Sequence, residues 1–317
     1  MRLPRMVVWM SMAGTAALGA NTACGQNYPI RPIRILTATP GGNGDFAARQ
    51  IVQEIAGPMG QNISVDNRTA PLAASIVAGS QPDGYSLLVA GSDLWIEQLL
   101  HKTPYDLKEL APISLLVRSP NVLVVHPSLA AKSVRELIDM AKTRPGALNY
   151  AGSTIGGTNH VAAELFKFMA GVNLVYIPYK GSNLALVALL GGETQVMFPN
   201  AASVTPHLKS GKLRALAVTS AEPSALVPGL PAVSATVPGY SSEGMTGMFA
   251  RAGTPATIIS RLHHEIARIM SRTDVKERFL NTGVETVGSS PEQLAATIKS
   301  DSARMEKLIK DVGVRID

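Results

Sequence analysis

Hydrophobic positions in this chain follow two alternating rhythms. Short apolar runs at Ile33–Leu36, Asn62–Val65 and Tyr85–Ala90 read as strands buried in a sheet. Between the first two, Ala48, Ile51, Val52 and Ile55 recur at i, i+3, i+4 and i+7, which predicts a helix from near Asp45 to Gly57-Pro58. An Ala-rich helix follows from about Leu72, and Pro82-Asp83-Gly84 supplies the turn into the third strand. Strand-helix alternation of this kind predicts a parallel α/β sheet.

The apolar run Val122–Val125 opens a second unit of the same design. Ser133 and Glu136 form a capping-box pattern ahead of a helix over Val134–Lys142, with Val134, Leu137, Ile138 and Ala141 on one face. Strand Leu148–Ala151, a glycine-rich loop over residues 152–157, helix Asn159–Ala170, strand Leu174–Ile177 and a helix from Ser182 to Gly191-Gly192 come next. Strands Thr194–Phe198 and Leu213–Val218 complete the unit. Pro223, Pro228, Pro231 and Pro238 then mark an irregular passage, after which Gly244–Ala250 leads back towards the first unit. Thr254-Pro255 is expected to cap a helix over Ile258–Ser271, and Ser290-Pro291 with Gln293 starts a last one. One unit inserted in another predicts two lobes and a cleft, with residues 26–121 and 242–317 in lobe 1 and 122–241 in lobe 2.

Composition adds compartment and partner class. A chain of 317 residues that is 46% hydrophobic can bury two cores of ordinary size. Arg2 and Arg5 precede an apolar stretch from Met6 to Ala20 and small residues up to Gly25, the layout of a signal peptide over residues 1–25, so the protein is expected in the periplasm. That stretch is shorter than the roughly 18 apolar residues a membrane span needs. Cys24 is the only cysteine, which leaves the folded part without disulfides or thiol chemistry. Asn21-Thr22-Ala23-Cys24 lacks the aliphatic residue of a lipoprotein box, so a soluble protein is favoured over an anchored one. Losing Arg2 and Arg5 lowers the formal charge from +6 to +4. Lys and Arg are scattered with no aromatic-interleaved run, which speaks against nucleic acid.

The densest chemistry lies in Pro40–Arg49, PGGNGDFAAR, a glycine-rich turn opening an amphipathic helix. Unpaired N–H groups and the positive end of the helix dipole favour an anion there by roughly 0.3–2 kcal/mol, and Gly41, Gly42 and Gly44 admit close approach to the backbone. Asp45 has two readings: acceptor for a ligand amino or hydroxyl group, or helix cap, the latter slightly favoured. Gly42-x-Gly44-x-x-Ala47 with Asp66 also matches a dinucleotide fingerprint, but the glycines stand four residues beyond the strand core and Asp45 would sit beside the pyrophosphate. Ser153 and His160 could pass for nucleophile and base, yet no G-x-S-x-G elbow surrounds Ser153. His263 and His264 are adjacent on a helix and face different ways, so no metal site is expected. Ser92, Tyr179 and Asn200 follow strand ends, where α/β sheets form ligand crevices.

Seven ordered motifs carry a resemblance. They are Pro40-Gly41-Gly42-x-x-Asp45-x-x-Ala48-Arg49, Val65–Arg68 (VDNR), Pro82–Leu88 (PDGYSLL), Pro104–Asp106 (PYD), Pro178–Gly181 (PYKG), Gly211–Thr219 (GKLRALAVT) and Ala252–Pro255 (AGTP). In that order and spacing the chain after Gln26 resembles the Bug extracytoplasmic solute receptors, the periplasmic binding subunits of tripartite tricarboxylate transporters. The resemblance implies a two-lobe type II periplasmic-binding fold, each lobe a mostly parallel sheet flanked by helices, closing on a small carboxylate without catalysis or cofactor. It maps the proximal carboxylate to Thr39–Asp45, with Thr39, Gly42, Asn43 and Asp45 as contacts, and the distal one to Ser153, Thr154, Gly157 and Thr158. Ser92, Tyr179 and Asn200 complete the expected lining. Thr37-Ala38 stands where Pro-Phe is usual, and Gln195 and Pro199 replace aspartates, so an unusual ligand is allowed. The expectation is a monomer that takes a mono- or dicarboxylate, with amino and aromatic acids open, and docks transiently on membrane transporter subunits. A ligand-presenting sensory receptor is the alternative, and an exported NAD-dependent oxidoreductase the remote one.

Overall fold

The computed structural model describes residues 28–38, 40–41, 43–153 and 157–312. β1 (Ile33–Thr37) leads to α1 (Asn43–Met59), β2 (Ile63–Asn67), α2 (Ala70–Ala78), β3 (Ser86–Gly91) and α3 (Asp93–Leu100). β4 (Leu110–Pro120) then runs into β5 (Val122–Val125), α4 (Val134–Thr143), β6 (Leu148–Gly152), α5 (Thr158–Ala170) and β7 (Leu174–Pro178). α6 (Ser182–Leu190), β8 (Val196–Met197), α7 (Ala201–Lys209) and β9 (Arg214–Val218) follow. The chain returns through β10 (Glu243–Arg251) and ends with α8 (Ala256–Met270), α9 (Thr273–Leu280), β11 (Glu285–Thr286) and α10 (Pro291–Val312).

Two sheets result, one ordered β11-β4-β10-β3-β1-β2 and the other β7-β6-β8-β5-β9. In the first, β1 pairs in parallel with β2 and β3, while β10 is antiparallel to both β3 and β4 and β11 is antiparallel to β4. In the second, β6 pairs in parallel with β7 and β8, and β5 is antiparallel to β8 and β9. The sheets are therefore mixed, not mostly parallel as the alternation of strands and helices suggested. Parallel pairing needs a crossover helix between strands. β4, β5 and β10 are not joined to their sheet neighbours in that way: they carry the chain between the sheets.

Alternate residues of the central strands enter different cores, as the two-residue period of a strand requires. Ile33, Ile35, Leu87 and Val89 pack under α1 and α8, whereas Leu36, Leu88 and Ala90 pack under α2, α3 and the start of α10. Both faces are covered, so these strands read as nearly continuous apolar runs. The second sheet has its own cores, one with α4 and α5 and one with α6 and α7.

The two passages between sheets are tied together. The Asn121 N–H donates to Thr219 Oγ1 at 2.8 Å, the Thr219 N–H to the Asn121 carbonyl at 2.9 Å, and the Ser242 N–H to the Thr219 carbonyl at 2.8 Å. Glu285 adds a further link. Its carboxylate accepts from Arg118 Nε at 2.7 Å, Ser224 Oγ at 2.5 Å and the Ala225 N–H at 2.7 Å. Met305 and Leu308 of α10 reach across into the core of the second sheet.

Candidate functional site

The order β2-β1-β3 reverses direction between β1 and β3, and outside the carboxyl ends of strands at such a reversal a crevice forms. Here that place holds a cavity of about 370 Å³. Thr37 and Ala38 at the end of β1 and Leu88–Gly91 of β3 line it, with Gly244, Met245 and Thr246 of β10. The first turns of four helices complete the lining: Asn43, Gly44 and Asp45 of α1, Ala70 and Ala73 of α2, Ser92 and Asp93 at α3, and Thr158 of α5. Thr158 belongs to the helix that follows β6 of the other sheet, so both sheets contribute to one cavity.

Three of those helix starts, at Thr69, Ser92 and Gly157, have no hydrogen bond from the N-cap residue's own side chain. By contrast, Ser133 caps α4, Asn200 caps α7, and Ser290 and Gln293 form a complete capping box at α10. Uncapped starts also occur at α6, α8 and α9, but those helices do not line this cavity. First-turn N–H groups and the positive ends of several dipoles thus point at one space, and among the described residues no Lys or Arg is in its lining. Thr37 adds a polar group that is fully buried and whose Oγ1 has no partner. Gly44 packs against it: a Cβ there would stand 2.9 Å from that oxygen, so the glycine permits this close approach.

Asp45 is nearly inaccessible, and its charge is spent within its own loop. It accepts from the Gly41 N–H at 3.0 Å, from Arg49 Nε at 3.0 Å and from Asn67 Nδ2 at 2.9 Å, while Asn67 also donates to the Ala38 carbonyl. The Arg49 hydrogen bond, aided by Gly41 and Asn67 and opposed by burial, holds its pKa down at about 2. This geometry favours the loop-bracing role of Asp45 over ligand contact. Asp66, the acid a dinucleotide site would need, is paired with Arg34 and Arg68.

On the second sheet, Ser153 Oγ donates to Asn159 Oδ1 at 3.0 Å, which also accepts the His160 N–H at 2.8 Å. His160 is buried against the rings of Tyr150 and Tyr176, and burial lowers its pKa. These contacts make it a packing group near the helix start, and Ser153 has no base aligned on it. The Tyr179 hydroxyl faces Glu193 at 3.4 Å, and Asn200 donates to Ser119 Oγ at 2.6 Å beside the crossing between sheets. Of the residues expected at the site, Asn43, Asp45, Ser92 and Thr158 share the cavity; Ser153, Tyr179 and Asn200 lie off its lining. Thr39, Gly42 and Thr154 fall outside the described residues, as do the leader and Cys24.

A second cavity of about 350 Å³ adjoins the first and shares Ser92, Asp93 and Thr158 with it. Gly157 lines this one, with Glu97 of α3, Glu243 at the start of β10, and Asp301 and Arg304 of α10. Asp301 accepts from Trp95 Nε1 at 2.8 Å and pairs with Arg304. Burial pushes Glu243 up to about 7, and its Oε2 has no partner. Asp93, which lines both cavities, is absent from the residues singled out in the sequence; its one signal there is its place directly after the strand end Gly91-Ser92.

Two mixed α/β sheets, joined by tied crossings and sharing a cavity of helix starts, define a two-lobe solute-binding fold. The chain belongs to the tripartite tricarboxylate transporter family receptors, whose family model matches residues 47–314. It is 32% identical over 319 residues to protein BugT of Bordetella pertussis, covering 98% of this chain and 96% of that one. Among solved structures it is similar to Rpa4515 of R. palustris with adipate, at 32% identity and a TM-score of 0.69, over 91% of this chain and 99% of the other. A TctC solute-binding protein from Polaromonas with no ligand gives a TM-score of 0.82 at 25% identity, over 90% and 99% of the two chains. The protein is thus of a periplasmic binding-protein family and is a receptor, not an enzyme.

Proposed function

We propose that this protein captures a small organic anion, a mono- or dicarboxylate, between two closing lobes in the periplasm and delivers it to a tripartite secondary transporter. In this reading residues 26–121 and 242–317 form one lobe and 122–241 the other, and residues 1–25 are removed on export. The observation that carries the reading is the convergence of four helix starts on one cavity, three of them without a hydrogen bond from the N-cap side chain, with no basic side chain among the described lining residues. Backbone donors of this kind suit a carboxylate and leave its remaining atoms free to set specificity. Asn43, Ser92, Gly157 and Thr158 are the ligand contacts among the described residues, together with Thr39, Gly42 and Thr154 of the two loops. Asp45 and Ser153 brace those loops, while Tyr179 and Asn200 hydrogen-bond Glu193 and Ser119 away from them. The adipate found with a relative of 32% identity supports a carboxylate ligand.

Closure would bring the start of α5 and the starts of α1 and α3 onto one ligand together, so neither lobe alone would hold it tightly. A thermal-unfolding screen of residues 26–317 against carboxylates, amino acids, aromatic acids and nicotinamide dinucleotides tests the reading. A ligand at 100 times its dissociation constant adds about 2.7 kcal/mol, a shift of several degrees for a chain of this size. The expected result is a shift with carboxylate-bearing compounds only. A shift with dinucleotides alone would overturn it.

A further inference from the structure

The order of the first sheet puts the cavity and β11 on opposite sides of the strands that join the two sheets. The cavity lies outside the ends of β1 and β3, β4 and β10 carry the crossings, and β11 follows β4 at the far edge. Rotation of one unit on the other about β4 and β10 therefore acts oppositely at the two sides. Narrowing the cavity widens the space beside β11.

That rear space is filled by contacts between the units. Glu285 of β11, only 6% exposed, accepts from Ser224 Oγ at 2.5 Å and from the Ala225 N–H at 2.7 Å, both on the passage that follows β9. Asn200, at the start of α7, donates to Ser119 Oγ at 2.6 Å. Gly283, with φ +79°, stands against the same helix start: a Cβ on it would lie 2.3 Å from Ala202 Cβ. Arg118 pairs with Glu285 from within the first sheet and so stays with it when the units part. Parting at the rear would strip Glu285 of two hydrogen bonds to a charged acceptor, the stronger kind. On the cleft side the second unit has little hold, because Thr158 is its one described residue in the lining of the first cavity. A ligand gripped from both sides needs that unit to move towards it.

We propose that the rear contact is a brake on closure: Glu285, Gly283 and Ser119 of the first unit hold Ser224, Ala202 and Asn200 of the second, and the protein releases them to close on its ligand. The inference rests on the lobe-closing reading above and adds a determinant of affinity that touches no ligand. The apparent affinity is then reduced in proportion to the small fraction of unliganded molecules that are closed. Loosening the rear should raise that fraction.

Residues 26–317 contain no cysteine, so nitroxide labels can be placed at Leu72→Cys and Leu184→Cys, exposed positions in the first turns of α2 and α6, one in each unit. Two variants are compared in this background. Ala202→Trp wedges the rear from an exposed position, and Ser224→Ala removes one bond to Glu285 while its pair with Arg118 remains. Label distances are read by electron–electron double resonance and adipate affinity by calorimetry. Without ligand, both variants should show more of the short distance than the parent protein, Ala202→Trp the more strongly, and adipate should bind at least ~3-fold tighter. Unliganded distances unchanged in both variants would overturn the proposal, as would weaker adipate binding in both. The lobe-closing reading would survive either result provided an acid shortens the distance in the parent protein. If no acid does so, that reading fails, and the unliganded distances alone decide the brake: a shift to the short distance supports it and no shift overturns it.

Discussion

The two adjoining cavities are of nearly equal volume and share Ser92, Asp93 and Thr158, yet their walls differ in kind. The first is walled by the beginnings of helices, whose backbone donors supply positive potential with no basic side chain among the described lining residues, although Asp45 and Asp93 also reach it. The second is walled by carboxylates, with one arginine already paired. Asp45 and Asp93 condense the contrast. Both are acids near the start of a helix, and both touch the first cavity. Asp45 is held by Arg49, Asn67 and Gly41, so its charge stabilises the loop, whereas Asp93 has no such partners. Having a carboxylate in a cleft therefore says little about specificity until its partners are counted.

The largest effect should come from blocking the space both cavities share. Thr158 is exposed at the start of α5, so Thr158→Trp should leave the unliganded melting point nearly unchanged. It should weaken ligand binding at least ~100-fold, about 2.7 kcal/mol, by calorimetry. Next is Glu243→Gln, read by denaturant unfolding across pH. Burial raises the folded pKa of Glu243 from 4.5 to about 7, so the stability of the wild type is greatest below pH 4.5 and falls as pH rises through 7. The variant escapes this loss and should be more stable by ~1–3 kcal/mol at pH 8, with the gap closing near pH 4.5.

Asp45→Asn works in the other direction. A folded pKa lowered from 3.8 to about 2 gives stability that is present above pH 4 and lost as pH falls towards 2. With Arg49 half exposed, the substitution should cost about 1–2 kcal/mol at neutral pH and leave ligand affinity unchanged. A large loss of affinity with unchanged stability would break the contrast with Asp93.

Much of this architecture was legible in apolar spacing. The expected strand at Val122–Val125 coincides with β5, and the helix expected over Val134–Lys142 is α4 with one further residue. The capping pattern at Ser290 and Gln293 is realised in full at α10. β4 was missed: it is eleven residues long, but Pro112 and Pro120 disguise its apolar run, and shifts of register against β10 accommodate the irregularity. With β4 unseen, the antiparallel half of the first sheet went unseen too. α3, α7 and α9 are short and absent from the elements the spacing predicts, and with α3 go Asp93, Glu97 and the wall of the second cavity. The pair Thr254-Pro255 is expected to cap a helix, but Thr254 Oγ1 instead donates back to the Arg251 carbonyl. The candidate loops could be located because glycine-rich turns before helices are visible in one dimension. Whether a side chain within them faces a ligand or braces the turn depends on distant residues such as Asn67, which spacing does not reveal.

The account rests on a carboxylate bound by backbone donors from both lobes. A crystal structure of residues 26–317 with the tightest-binding acid of the thermal screen tests it most directly. The predicted result is a ligand carboxylate oxygen about 2.7–3.2 Å from backbone N–H groups at the starts of α1 and α5. A carboxylate held by lysine or arginine side chains, or by one lobe alone, would contradict it.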